Sequence, residues 1–150
     1  MLNKFLAELF TGKPSKALSI LEDIPLESSI PNEVLTMLRL AIFMPEQSYL
    51  SYQKILNIWS KWGQPPLKPS STKLKILFLS DFTADHFSPM IKLFCAAQGV
   101  EAEVILPGFD SIEQTVLDPS SSMYECEPDI ISLIFSEYWL QKYIGNSSLV

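Results

Sequence analysis

A single histidine, His86, and two cysteines, Cys95 and Cys126, are all that this 150-residue chain offers of the side chains that most readily hold zinc or pass protons near neutral pH. No Cys-x-x-Cys pair occurs. A zinc centre is therefore not expected, and two cysteines build no disulfide framework. Cys95 sits among Leu93, Phe94, Ala96 and Ala97, which suits core packing. Cys126 lies between Glu125 and Glu127, neighbours that disfavour a reactive thiolate. Positive charge is scarce too. Lys and Arg number 11 against 17 Asp and Glu, a net charge of -6, and the basic residues are scattered. That balance argues against a nucleic-acid binder, which needs clustered cations to neutralise phosphates, and against binding to an anionic membrane surface. No apolar run approaches the ~20 residues that span a bilayer. Met1-Leu2-Asn3-Lys4 lacks the apolar core and small-residue cleavage site of a secretion signal, so a cytoplasmic location is expected. Nothing in the composition calls for a cofactor.

What is present is globular. The chain is 47% hydrophobic and 19% charged, enough apolar surface to exclude global disorder. Residues 1–62 read as helical. Leu2, Phe5, Leu6, Leu9 and Phe10 recur at helical spacing, and Gly12-Lys13-Pro14 stops that helix. Ala17, Leu18 and Leu21 mark a second helix, ended by Ile24-Pro25. Pro31 suits the first turn of a third, with Val34, Leu35, Leu38, Ala41 and Ile42 on its buried side. Pro45 breaks it. A fourth runs from Gln47 to Trp62, using Leu50, Ile55, Ile58, Trp59 and Trp62, and Gly63 is placed to cap it. No fixed period repeats, so a helical extension packed on the following domain or on a second chain is expected rather than a solenoid.

Gln64-Pro65-Pro66-Leu67-Lys68-Pro69 cannot continue a helix and reads as an extended, exposed linker through residue 72. After it the pattern becomes α/β. A strand at residues 75–79 is followed by Ser80-Asp81-Phe82-Thr83 and a helix over residues 84–98, closed by Gly99. A second strand at residues 101–106 alternates Ala102, Val104 and Leu106 with Glu101, Glu103 and Ile105. A short helix over residues 111–117, capped by Asp110 or Ser111, leads to the turn Asp118-Pro119-Ser120-Ser121-Ser122. A third strand at residues 130–135 is apolar on both faces and is expected to be central. A last helix over residues 137–143 ends at Gly145-Asn146. The expected organisation is a helical part (1–63), a Pro-rich linker (64–72) and a small α/β domain (73–150). Strands alternating with helices imply a parallel sheet in three layers, Rossmann-like or SGNH-like.

The residues in this order suggest a family. An apolar strand leads into Ser80-Asp81-Phe82-Thr83-Ala84-Asp85, then come Ala97-Gln98-Gly99-Val100, Gly108-Phe109-Asp110, and Leu117-Asp118-Pro119-Ser120-Ser121-Ser122-Met123-Tyr124 before Pro128-Asp129-Ile130-Ile131. This stretch, residues 73–136, resembles the N-terminal domain of FkbH-like proteins, haloacid-dehalogenase-type enzymes (subfamily IIIC) that make glyceryl-carrier protein for polyketide pathways. The resemblance implies an SGNH- or flavodoxin-like fold. It also implies that phosphatase and glyceryl-transfer chemistry resides in a separate downstream domain with an Asp-x-Asp motif, which this sequence lacks. The family's domain continues where this sequence stops, which leaves a fragment, a split protein and a stand-alone accessory subunit open. The partners implied are the haloacid-dehalogenase catalytic domain or another protein of the assembly, an acyl carrier protein among them, or a second copy of the chain. The acidic balance counts against an acidic carrier protein as a direct ligand.

Ser80 occupies the place of an SGNH nucleophile. Such a serine needs a base, which SGNH enzymes supply near the C-terminus, and residues 137–150 hold neither His nor Asp. His86 could reach Ser80 only if the loop doubled back. Ser80, Asp81 and Thr83 are alternatively a ligand or partner loop, or simply a turn and helix cap. Asp118, Ser120 and Tyr124 likewise form either a binding loop or a turn that seats Met123-Tyr124 on the core. Trp59, Trp62, Tyr138, Trp139 and Tyr143 form a partner surface or ordinary core. The expected function is non-catalytic interaction or scaffolding in polyketide-type biosynthesis. The alternative is an SGNH-like esterase or thioesterase using Ser80 with His86.

Overall fold

A computed structural model describes residues 1–25, 30–44, 48–69, 72–108, 112–143 and 145. The fold is mixed α/β: an N-terminal helical part and a three-stranded parallel sheet with helices. By packing, the chain divides into two compact units, Met1–Thr72 with Leu93–Glu101, and Lys73–Lys92 with Ala102–Val150. Among the described residues no helix is long and apolar enough to cross a membrane.

The first unit is built on α1 (Leu2–Phe10), α2 (Pro14–Glu22), α3 (Asn32–Ile42) and α4 (Tyr49–Lys61). Pro14 opens α2 at its first helical position, where a missing N–H costs nothing. Pro31 stands one residue before α3, in extended conformation. Ser48 caps α4, its Oγ accepting the Ser51 N–H at 3.2 Å. The core is Phe5, Ala17, Leu18, Leu21, Met37, Leu38, Ala41, Ile42 and Ile55, all at most 1% exposed. The helical spacing anticipated most of these. Met37 joins them because it lies one turn from Val34 and Ala41 on the same stripe. Phe10 and Leu50, two residues expected inside, are 84% and 73% exposed, since each sits at a helix end where the stripe runs past its neighbours.

Helix α4 ends in a Schellman motif. The Gly63 N–H donates to the Ser60 carbonyl, the Gln64 N–H donates to the Trp59 carbonyl at 2.9 Å, and Gly63 takes φ +77°. The following segment is exposed at Gln64, Pro66, Lys68 and Pro69, but it also packs locally. Leu67 is 3% exposed, and the Trp59 indole N–H donates to the Pro65 carbonyl at 2.9 Å. Prolines forbid helix but not packing, and a buried indole N–H needs an acceptor. Trp59 and Trp62 are both buried. Phe94, which belongs to this unit, meets Phe43 and Tyr52 at ring-centroid distances of 6.3 and 5.6 Å. Burial pushes the nearby Cys95 thiol up from its ordinary value.

The sheet comprises β1 (Thr72–Ser80), β2 (Val100–Ile105) and β3 (Ile130–Ile134), in the order β2-β1-β3. β1 and β3 run parallel, Ile76 facing Ile130, Leu77 Ile131, and Leu79 Leu133. Around them lie α5 (Phe87–Gln98), α6 (Ile112–Leu117), α7 (Ser122–Glu125) and α8 (Glu137–Tyr143). Leu77, Leu79 and Ile112 form the second unit's core, with Ile105, Met123 and Phe135 packed against it. The third strand is not central. β1 is, and its last five residues are all buried, whereas Ile130, Ile131 and Leu133 of β3 are 44%, 47% and 49% exposed. Apolar content on both faces measures what a strand can bury, not what lies beside it. The start of β3 is clasped to β1 through Asp129: its Oδ2 accepts the Lys75 N–H at 2.8 Å and its N–H donates to the Lys75 carbonyl at 2.9 Å. Helix α5 starts at Phe87 rather than residue 84, because Ala84 is buried in a preceding turn whose carbonyl accepts the Phe87 N–H. The expected cap at Asp110 or Ser111, the break at Pro45, the start at Gln47 and the end at Asn146 lie outside the described residues.

Candidate functional site

The carboxyl end of β1 delivers Ser80 and the loop after it to a shallow cleft of about 120 Å³. Phe78, Phe82 and Leu106 supply its apolar wall, and Ser80, Thr83 and Asp85 its polar groups. Sites for whole cofactors or drug-sized ligands occupy roughly 300 Å³ or more. This cleft has room for a few waters or one small group. None of its lining side chains is basic, and Asp85 opposes an anion.

Ser80 is 5% exposed, and its hydroxyl donates to the Phe82 carbonyl at 2.7 Å. A hydroxyl has one proton to give, and here the turn takes it. His86 stands exposed two residues past Ala84, its ring against that of Phe87 at 4.2 Å between centroids. The imidazole is not among the described residues that line the cleft beside Ser80. Thr83 is exposed at the rim.

Asp81 does something the sequence did not suggest. Its carboxylate accepts the Ser136 backbone N–H at 2.6 Å and the Ser136 hydroxyl as well. Ser136 Oγ in turn accepts the Trp139 N–H at 3.2 Å and so caps α8. One carboxylate thus joins the ends of β1 and β3 and fixes the first turn of α8, where Trp139 stacks on Phe135 at 4.1 Å. The signal was available: a serine just before a helix is an N-cap candidate, and Ser136 stands between the third strand and Glu137. Its partner could not be read, because 55 residues separate them.

Partial burial alone would raise the Asp81 carboxyl, but the hydrogen bonds from Ser136 outweigh it and hold the group below its ordinary 3.8. A carboxyl lowered on folding contributes stability that is present above the unfolded value and lost as pH falls through the folded one. The unfolding temperature of the wild type should therefore drop as pH falls from about 4 toward 2. Asp81→Asn should show a lower unfolding temperature at neutral pH and a shallower decline over that acid range. Parallel profiles for the two proteins would mean that Asp81 carries no such linkage.

The second flagged loop is self-contained. Asp118 Oδ1 accepts the Ser120 N–H at 2.9 Å and the Ser120 hydroxyl at 2.7 Å, an Asx turn that holds its carboxyl below the ordinary range. The Ser121 hydroxyl donates to the Thr115 carbonyl at 2.5 Å. The Tyr124 hydroxyl donates to the Val116 carbonyl at 2.8 Å. These bonds brace α6 against α7 and seat Met123 on the core, so the loop's polar atoms serve the turn itself. The hydrogen bonds of Ser80 and Asp81 run to Phe82 and Ser136 and those of Asp118 to Ser120, so none of them joins the two flagged loops. No cluster of three or more His, Cys, Asp or Glu suited to a metal ion occurs among the described residues.

No family model matches the chain, and no curated protein matches it. Among solved structures, the N-terminal part of the protein BF1531 from Bacteroides fragilis, containing a phosphatase domain complexed with Mg, is similar with 26% identity and a TM-score of 0.46. The likeness covers 53% of this chain and 20% of that one. This chain therefore matches about one fifth of the length of that solved N-terminal part.

Proposed function

We propose that this chain is a non-catalytic interaction domain of the FkbH-like type, a scaffold within a carrier-protein-dependent biosynthetic assembly whose phosphatase-type chemistry is performed by a separate domain. The observation that carries the reading is the uncovered side of β3. Ile130, Ile131 and Leu133 are each nearly half exposed on a strand with no charged residue, a surface that soluble domains ordinarily hide or break up. The hydrogen bonds of Ser80, Asp81 and Asp118 support it from the other side, because Ser80 and Asp118 hold their own turns and Asp81 ties the end of β1 to Ser136. The motif Leu117-Asp118-Pro119-Ser120-Ser121-Ser122-Met123-Tyr124 supports the family reading, and the sequence holds no Asp-x-Asp pair, which supports transfer chemistry in a separate domain.

The test is an ester and acyl-thioester hydrolysis assay on the wild type and on Ser80→Ala. Both should run at the uncatalysed rate. Turnover by the wild type that is lost in Ser80→Ala would establish the esterase alternative and end the scaffolding reading.

A further inference from the structure

Resting on the reading of this chain as a scaffold, we infer that its partner at β3 is a second copy of itself, the two strands pairing antiparallel about Ser132 so that two three-stranded sheets become one of six. Three observations point to self-pairing. The first is that β3 reads Ile-Ile-Ser-Leu-Ile, so in either direction it is apolar, apolar, serine, apolar, apolar. A two-fold axis demands that symmetry: centred on Ser132, Ile130 faces Ile134 of the second copy, Ile131 faces Leu133, and Ser132 faces itself. Each facing pair is then apolar with apolar or hydroxyl with hydroxyl, the pairs that stabilise antiparallel strands.

The second is charge. A chain of net charge -6 repels its own copy over most of its surface. The five residues of β3 hold no charge, so self-contact meets no like-charge conflict along the strand. They also hold no proline, another device that keeps an edge from pairing.

The third is area. By its register with β1, β3 places Ile131 and Leu133 on the face of Leu77 and Leu79, and Ile130 on the face of Ile76. Exposure on both faces at once is what an added strand relieves, since its side chains flank both sides of the sheet. Five residues fall short of the roughly 800 Å² per partner of a standard interface. Tyr138 and Leu140 of α8, 74% and 41% exposed, follow β3 closely in the chain and add apolar surface. The expected association is thus reversible and micromolar rather than permanent.

The test uses the full chain carrying Cys95→Ala and Cys126→Ser, to which Ser132→Cys or Ile130→Cys is added. In the inferred pairing the two Ser132 Cα atoms lie about 5 Å apart, within disulfide range, whereas the two Ile130 Cα atoms are four residues out of register, about 14 Å apart. Mild oxidation should link Ser132→Cys into a covalent dimer and leave Ile130→Cys largely monomeric. In sedimentation equilibrium the wild type should dimerise, and Leu133→Lys should weaken the dimer at least about tenfold. Circular dichroism melts identify any variant that fails to fold. A wild type that stays monomeric up to high micromolar concentration, or equal cross-linking at both positions, overturns self-pairing. Neither result bears on the hydrolysis assay, whose failure would instead remove the scaffolding reading.

Discussion

Leu79→Ala should lower the unfolding free energy by about 3 kcal/mol, while Leu133→Ala lowers it by less than about 1 kcal/mol. The two leucines are register partners on adjacent strands and point to the same face. Sequence alone gives no reason to treat them differently, and a central third strand would make Leu133 the costlier loss. The structure separates them by environment. Leu79 is 1% exposed and packs in the cluster with Leu77 and Ile112, so truncation removes its contacts and leaves a cavity. Leu133 is 49% exposed, and water fills the space that its side chain leaves. The measurement is urea unfolding of both variants at protein concentrations low enough to keep the chain monomeric. Equal costs would show that β3 is covered in the monomer and that its edge is not free. Against a total of about 5–15 kcal/mol for a typical domain, the Leu79 variant should remain folded but visibly weakened.

Gly99→Ala should be the second large effect, a loss of about 2–3 kcal/mol, against about 1 kcal/mol for Gly63→Ala. Both glycines adopt positive φ, +79° and +77°, a conformation that side-chain-bearing residues reach only at a cost. The difference between them is space. A Cβ on Gly99 would stand 2.9 Å from the Pro69 carbonyl oxygen, a backbone atom that cannot swing away, and 3.4 Å from the Lys68 side chain. A Cβ on Gly63 would meet nothing within 4 Å. The pair therefore isolates a steric contribution on top of a shared conformational one. Thermal unfolding of the two variants side by side checks it, and indistinguishable unfolding temperatures would remove the close approach of residues 68–69 to the helix end.

These two comparisons mark how far the chain was legible. Local chemistry was readable because its signals are local. Pro14, Gly63 and Gly99 mark helix boundaries through their own dihedral preferences, and Ala17, Leu18 and Leu21 reveal the buried side of α2 by spacing alone. The alternation in β2 likewise anticipated exposed Glu101 and Glu103. The candidate site was readable only as a place. Ser80, Asp81 and Thr83 do stand at the end of the first strand, and Ser80 bonds within the turn as its local chemistry allows, but the role of Asp81 depends on Ser136, a partner that no spacing rule names.

Taken alone, the order of residues determined most helices and strands and several of their ends, which follow from each segment's own dihedral limits and apolar period, and the alternation of strands with helices implied parallel pairing. Tertiary structure alone decided which strand is enclosed, that Leu67 packs inside despite its prolines, and that Asp81 ties two strand ends together. The physical reason is that burial and hydrogen bonding are properties of pairs. A side chain carries its hydrophobicity and its donors in the sequence, but the neighbour that covers or accepts them is supplied by residues as many as 55 positions away.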